Sequence, residues 1–286
     1  MDIKPIRCSP VKLNVADVET AAKFSGAVYS DGIWWKELFK GFWWPFDIQE
    51  VFRVGIKPPF LKRFIGYQHL TRKEDGNCYL RFMRIEDLQG WGPEILEKKQ
   101  RSVIRKSFEN LNLRKIDKFV EKEAREAMFS WNNLVEWTGW RKKMQAKEFL
   151  KYWNSILKTP GATIIGAYKD EVLVGWIIGT LYSNGHCYPN RYVVHRKYFD
   201  FSPNDALIYC FLLSAKAMGA KVANFGLFIP EKASLDKFKE HLGFKRTSFP
   251  AYISLNPLAK LVIRILKPNQ LDRITGWRSV YNQKDK

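Results

Sequence analysis

The residues best suited to nucleophilic or metal chemistry are few: four cysteines and four histidines in 286 residues. Cys8, Cys78, Cys187 and Cys210 lie far apart and form no CxxC pair. They read as reduced thiols, not as a disulfide frame or a zinc site. The histidines show no HExxH or HxxxH spacing, so a metal hydrolase is not expected and no metal site is called. Cys210 falls on the apolar face of a helix, and neither it nor Cys187 has an evident histidine partner, which argues against a covalent thiol mechanism. His195 is the better candidate. It ends an apolar strand, and an imidazole with a pKa of about 6.5 suits a general base, although a strand histidine can equally be structural. Tyr192 and Asn190 on the same strand, and Glu231 at the start of a later helix, are lesser candidates for moving a proton. His186 and His241 read as a loop and a helix-surface residue.

These residues need a scaffold, and the second half of the chain spells one out. Residues 162–182 hold two apolar runs, ATIIGAY and VLVGWIIGTLY, around Lys169-Asp170-Glu171, a β-hairpin pattern. CYPNRYVVHR follows as a strand. SPNDALIYCFLLSAKAMG reads as a helix, with Ser202 and Asp205 as a capping box, Pro203 in the first turn and Gly219 as the stop. KVANFGLF is a buried strand, EKASLDKFKEHLG a second helix, and FKRTSFPAYISL a returning strand. The order β-β-β-α-β-α-β predicts an α/β layer fold.

Upstream, the pattern predicts helices over 93–110, from Asp117 to near Phe129, and over 145–157, with a break at Trp131–Gly139. Residues 1–90 are rich in short aromatic runs and turn signals, a pattern of strands with irregular links. The pairs Trp34-Trp35 and Trp43-Trp44 read as core or pocket lining, with a membrane interface as the alternative. NPLAKLVIRILKP near the end places Leu258, Leu261, Val262, Ile265 and Leu266 on one stripe, with Lys260, Arg264 and Lys267 off it. Such a basic amphipathic helix either packs on its own sheet or docks on an anionic membrane.

Composition bounds the rest. Apolar residues make up 46%, enough for a packed core. No apolar stretch reaches the roughly 20 residues a membrane span needs. The N-terminus has no apolar segment of a secretory signal, so the expected location is cytoplasmic, with peripheral attachment at a membrane as an option. Forty-eight Lys+Arg against 29 Asp+Glu give a net charge of +19, which favours anionic partners such as nucleic acid, phosphorylated donors or a lipid surface.

The ordered set GWIIG on a strand, PNDALIY opening a helix, NFG on a strand, then FK and LGF resembles the GNAT N-acyltransferase superfamily, most closely its Fem-type branch. The resemblance covers Lys147–Leu255 and extends weakly to the basic segment KKQRSVIRKSFENLNL. It implies a GNAT-like acyltransferase fold: an α/β structure with a mixed, splayed central sheet flanked by helices. A degenerate tandem pair, with residues 1–90 as a vestigial first repeat, is left open. The implied division is an N-terminal part over 1–130, an acyltransferase domain over 131–256 and a basic tail over 257–286. The implied activity is transfer of an acyl or aminoacyl group from acyl-CoA or aminoacyl-tRNA to an amine, on an amino sugar, an amino acid or a peptidyl precursor, by direct attack.

The resemblance also assigns roles. The donor would lie between the strand at Arg191–Arg196 and the strand at Val222–Phe228, touching Tyr192, Val193, Asn204, Asn224 and Gly226. The acceptor would meet Tyr188, Asn190 and Arg105. Lys239 takes the place of the tyrosine in the usual Tyr-x-x-x-Gly-Phe ending, where an ammonium would stabilise an oxyanion or protonate the leaving group. An exposed helix lysine is the competing reading. Lys239 and His195 are therefore the catalytic expectations. The glycine-rich phosphate turn of the superfamily is missing, since Tyr198 to Asp205 contains no glycine. Asp205 also puts negative charge where a pyrophosphate would sit. That departure keeps a rival open: a nucleic-acid- or membrane-binding protein on a catalytically inactive GNAT scaffold.

Overall fold

A computed structural model describes residues 6–49, 53–139, 141–228 and 233–266. In chain order its strands and helices are β1 (Val15–Ala16), α1 (Val18–Phe24), β2 (Val28–Ser30), β3 (Ile33–Phe39), β4 (Phe42–Pro45), β5 (Gly66–Leu70), β6 (Cys78–Ile85), α2 (Lys98–Asn110), β7 (Asn112–Ile116), α3 (Glu121–Thr138), α4 (Ala146–Leu157), β8 (Ala162–Lys169), β9 (Val172–Tyr182), β10 (His186–Val194), α5 (Pro203–Ala217), β11 (Val222–Leu227), α6 (Ala233–His241), β12 (Lys245–Leu255) and α7 (Pro257–Leu266). Two compact units result. The first takes its described residues from the segments up to Asp17, Arg84–Gly226 and Ser234–Lys245; the second from Val18–Met83, Leu227–Ala233 and Arg246 onward. The units are discontinuous in sequence, and the boundary anticipated at 130/131 falls inside α3.

The first unit is built on the sheet β11-β10-β9-β8-β7, with β1 lying parallel beside the end of β9. The β8–β9 hairpin is as the sequence predicts. Its turn places Asp170 and Glu171 at φ 49° and 61°, the left-handed pair that closes a tight hairpin with the right twist, here without glycine. Side chains alternate across β9, and that alternation divides the unit into layers. Trp176 and Ile178 enter a core with Trp131 of α3 and Phe149 and Trp153 of α4. Trp153 and Trp176 meet edge to face at 5.2 Å. Gly175 and Gly179 face the opposite layer, α5. A Cβ at Gly179 would sit 1.9 Å from the Phe211 ring, so glycine is what lets this helix lie down on the sheet. α5 is buried nearly all round, between the sheet and α2, which is why its sequence lacks a polar face.

Two helix expectations need correction. The segment 93–110 is not one helix: Pro93–Ile95 forms a 3-10 turn, and α2 begins only at Lys98 after Glu97 goes extended. The break expected at Trp131–Gly139 does not occur, because α3 runs through to Thr138. Its asparagines are occupied elsewhere. Asn132 donates to the Met144 carbonyl at 3.1 Å and accepts from the Met144 amide at 2.9 Å, and Asn133 accepts from the Arg196 amide at 2.8 Å. Trp131 is buried in the core. Gly139, at φ 62°, ends the helix with its amide on the Val135 carbonyl.

The second unit carries the strand order β2-β3-β4-β5-β12-β6. Trp35, Trp43 and Trp44 are buried and serve as core, while Trp34 is half-buried against Lys23 and Tyr29. Phe42, Leu70, Leu80, Phe82 and Ile253 form a core against which Ile263 of α7 packs.

Candidate active site

In the first unit, β10 and β11 run parallel but are paired only at His186↔Val222 and Cys187↔Ala223. Among the described residues no further register joins them, so Tyr188–Val194 and Asn224–Gly226 part as they leave the pairing. A bulge between Pro189 and Arg191, opposite β9, falls at the start of this parting. Strands that diverge leave backbone N–H and C=O groups aimed into the gap, where an extended ligand can pair with them.

The gap is furnished from three elements. Tyr192 of β10 stands 5.6 Å from the Phe225 ring of β11 and 6.0 Å from Phe238 of α6, centroid to centroid. Phe225 in turn packs on Phe244 at 5.1 Å. Lys239 is buried at 4% exposure, so it is not the surface lysine of the competing reading. Its Nζ lies 5.3 Å from the Phe225 ring centre and 3.6 Å from Oδ1 of Asp236, which is itself fully buried. Asn224, also buried, accepts from the Gly226 amide at 2.8 Å. Gly226 adopts φ +78°, a conformation that favours glycine, and a Cβ there would meet no atom within 4 Å. Lys239, Tyr192, Asn224 and Gly226 are thus gathered around one seam.

Other expected residues stand apart from it. The Val193 side chain is buried with α3 and α4, so only its backbone faces the seam. His195 alternates to the face opposite Tyr192, and its Nδ1 accepts from the Lys197 amide at 3.3 Å, capping the short 3-10 turn that follows. Burial and then Lys197 hold its imidazole below the ordinary value. Tyr188 rests on Tyr182, and Asn190 donates to Thr180 Oγ1 at 2.5 Å. Arg105 on α2 has a buried Nε, and Asn204 a buried Oδ1, each without a hydrogen-bond partner among the described residues. Glu231 lies outside the described residues.

The anticipated capping box is also corrected. Ser202 takes φ 47°, a left-handed conformation outside the extended backbone of an ordinary N-cap, and makes no side-chain cap. Asp205 instead accepts from Gln100 of α2 at 2.5 Å and from its own amide. Burial raises its pKa above the ordinary carboxylate value. Its charge is felt by Tyr192, whose hydroxyl is pushed up first by burial and then by Asp205. A carboxyl of raised pKa beside the seam is the functional candidate that sequence reasoning missed, because Ser-x-x-Asp before an apolar run reads as a cap. The first turn of α5 remains a poor phosphate cradle: Pro203 has no N–H, and the Asp205 amide is taken.

A mixed sheet splayed between two parallel strands, with a buried helix between them in sequence, is the GNAT-like fold. No family model matches the sequence, and no curated protein matches it. Solved structures match in three dimensions. FemX superposes with a TM-score of 0.51 at 11% identity, over 65% of this chain and 63% of that one. The C-terminal domain of a putative lysylphosphatidylglycerol synthetase from Agrobacterium fabrum gives 0.53 at 10% identity, over 86% and 90%. L-PGS from Bacillus licheniformis gives 0.51 at 16% identity, over 90% and 92%. The chain spans just under two thirds of FemX. The likeness to the Fem-type GNAT fold drawn from the sequence is therefore the likeness the structure has, and it is a likeness of fold. Among the described residues no group of three or more metal-ligating side chains occurs.

Proposed function

We propose that the protein is an N-acyltransferase that moves an acyl or aminoacyl group from acyl-CoA or aminoacyl-tRNA to an amine, with the donor seated between β10 and β11. The observation that carries this is the parting of those strands after two register pairs, beside a buried lysine. The donor's amides pair with the freed backbone of Tyr192–Val194 and Asn224–Phe225, and its carbonyl reaches the Lys239 ammonium. Asp205 takes a proton from the incoming ammonium, leaving a neutral amine. The amine nitrogen attacks the carbonyl carbon, a C–N bond forms, and negative charge gathers on the oxygen facing Lys239. The C–S or C–O bond to the donor then breaks, the leaving thiolate or alkoxide takes the proton that the new, positively charged nitrogen must lose to become an amide, and Asp205 releases its proton to water. Tyr188, Asn190 and Arg105 lie toward the acceptor in this reading. The amine is that of an amino sugar, an amino acid or a peptidyl precursor.

The poor phosphate cradle at α5 favours a donor whose phosphates are held by outlying lysines and arginines. Calorimetric titration of the full chain with acetyl-CoA, aminoacyl-tRNA and a plain RNA duplex, at low and at raised salt, tests the proposal. A donor that binds at raised salt, and whose acyl group appears on a supplied amine by mass spectrometry, supports it. Binding of RNA alone, blind to sequence and lost with salt, overturns it in favour of an inactive scaffold.

A further inference from the structure

The second unit displays an apolar surface that its own fold leaves to solvent. α7 rests on the core through Ile263, while Leu258, Leu261, Val262 and Ile265, spaced as one helical stripe, face outward; Leu258 is 74% exposed and Ile265 67%. The helix is therefore turned with its apolar stripe away from the sheet. A second apolar group stands nearby. The 3-10 turn Phe60–Lys62 raises Phe60 and Leu61 into solvent, with Leu61 90% exposed, and Phe64 follows. The two groups flank one feature: the Asn256 amide donates to the Ile65 carbonyl at 2.9 Å, and Lys57, Arg63, Tyr67, Asn256 and Pro257 line a cavity of about 410 Å³.

Charge selects the occupant. Residues 53–66 contribute Arg53, Lys57, Lys62 and Arg63, and residues 257–266 contribute Lys260 and Arg264; the acids beside them are Asp31, which accepts from the Lys57 amide at 2.9 Å, and Glu37, which shares a pocket with Lys62 and Phe64. Exposed apolar side chains among cations that outnumber the neighbouring acids match a phospholipid interface, where the former enter the acyl boundary and the latter meet phosphates. We propose that this face docks on an anionic lipid bilayer, with the outer stripe of α7 and Phe60–Leu61 entering the interface and the Lys57–Arg63 cavity receiving a lipid phosphate. Among the described residues no helix is long and apolar enough to cross a membrane, so the attachment is lateral.

Flotation of the full chain with phosphatidylcholine vesicles, with and without phosphatidylglycerol, tests this. Wild-type protein floats with the anionic vesicles and is partly released by salt. The double variant Leu61→Ser/Ile265→Ser loses binding by roughly tenfold or more at every salt concentration. The variant Lys57→Gln/Arg63→Gln loses roughly fivefold per cation and with it the preference for anionic lipid. All four side chains lie at the surface or line the cavity, and circular dichroism checks that each variant folds. No flotation, equal flotation with neutral vesicles, or flotation untouched by both variants overturns the proposal. So does a wild-type dimer in sedimentation that Leu61→Ser/Ile265→Ser disperses, since the face then belongs to a second copy.

Discussion

The Lys239 ammonium lies 3.6 Å from the Asp236 carboxylate one helical turn earlier on α6, and both side chains are buried. Removing one member of such a pair takes an opposite charge at 3.6 Å away from the other in a poorly solvated site, at a cost of up to about 3–5 kcal/mol. Asp236→Asn and Lys239→Met are each expected to lower stability in urea unfolding by that order, and the double variant Asp236→Asn/Lys239→Met by clearly less than the sum. The double variant should be folded yet have lost about 10²–10³-fold in kcat, the measure of a missing oxyanion donor. A folded double variant with unchanged turnover removes Lys239 from the chemistry.

Asp205 should reveal itself through pH. Its folded pKa is raised above the ordinary 3.8 by burial. The stability that follows is fully present while the group is protonated in both states, and is lost as pH rises through the folded value. Asp205→Asn should therefore gain on the wild type in melting temperature as pH climbs from about 4, and the difference should level off once the carboxyl is fully ionised. If Asp205 is the base, the acid limb of the kcat/KM profile disappears in the variant, with activity lower by roughly 10²–10⁴-fold.

Gly179 bears the contact between sheet and helix. Gly179→Ala drives a methyl into the Phe211 ring and should cost about 1–3 kcal/mol as an overpacked site. Phe211→Leu in the same chain should relieve part of that loss, a coupling readable in a double-mutant cycle. Additive effects would mean that β9 and α5 are not in close contact at this point.

Cys78 and Cys187 should be inert in the folded protein. Burial pushes the Cys78 thiol up to about 12 and raises that of Cys187 further. Alkylation by a water-soluble maleimide at neutral pH should leave both unmodified until denaturant is added, as read by peptide mass mapping.

Local patterns carried much of the architecture. The β8–β9 hairpin, β10, α5, β11, α6 and β12 are legible as runs of apolar period, a proline in the first turn and glycine stops, because each depends on neighbours in sequence. α3 was misread for the complementary reason: Asn132 and Asn133 look like breakers until Met144 and Arg196 arrive to satisfy them, and those partners come from other elements. Asp205 was misread as a cap because Gln100 lies 105 residues away.

The residue string alone determined the order of elements, the proline start of α5 in its place between two strands and the excess positive charge, all read from nearby side chains. Only the tertiary structure decided where β10 and β11 separate, that Lys239 turns inward toward Phe225, and that α7 shows its apolar stripe to solvent. Those outcomes depend on which surfaces long-range packing covers, and a pattern of period 3.6 states that a helix has an apolar side without stating what that side will meet.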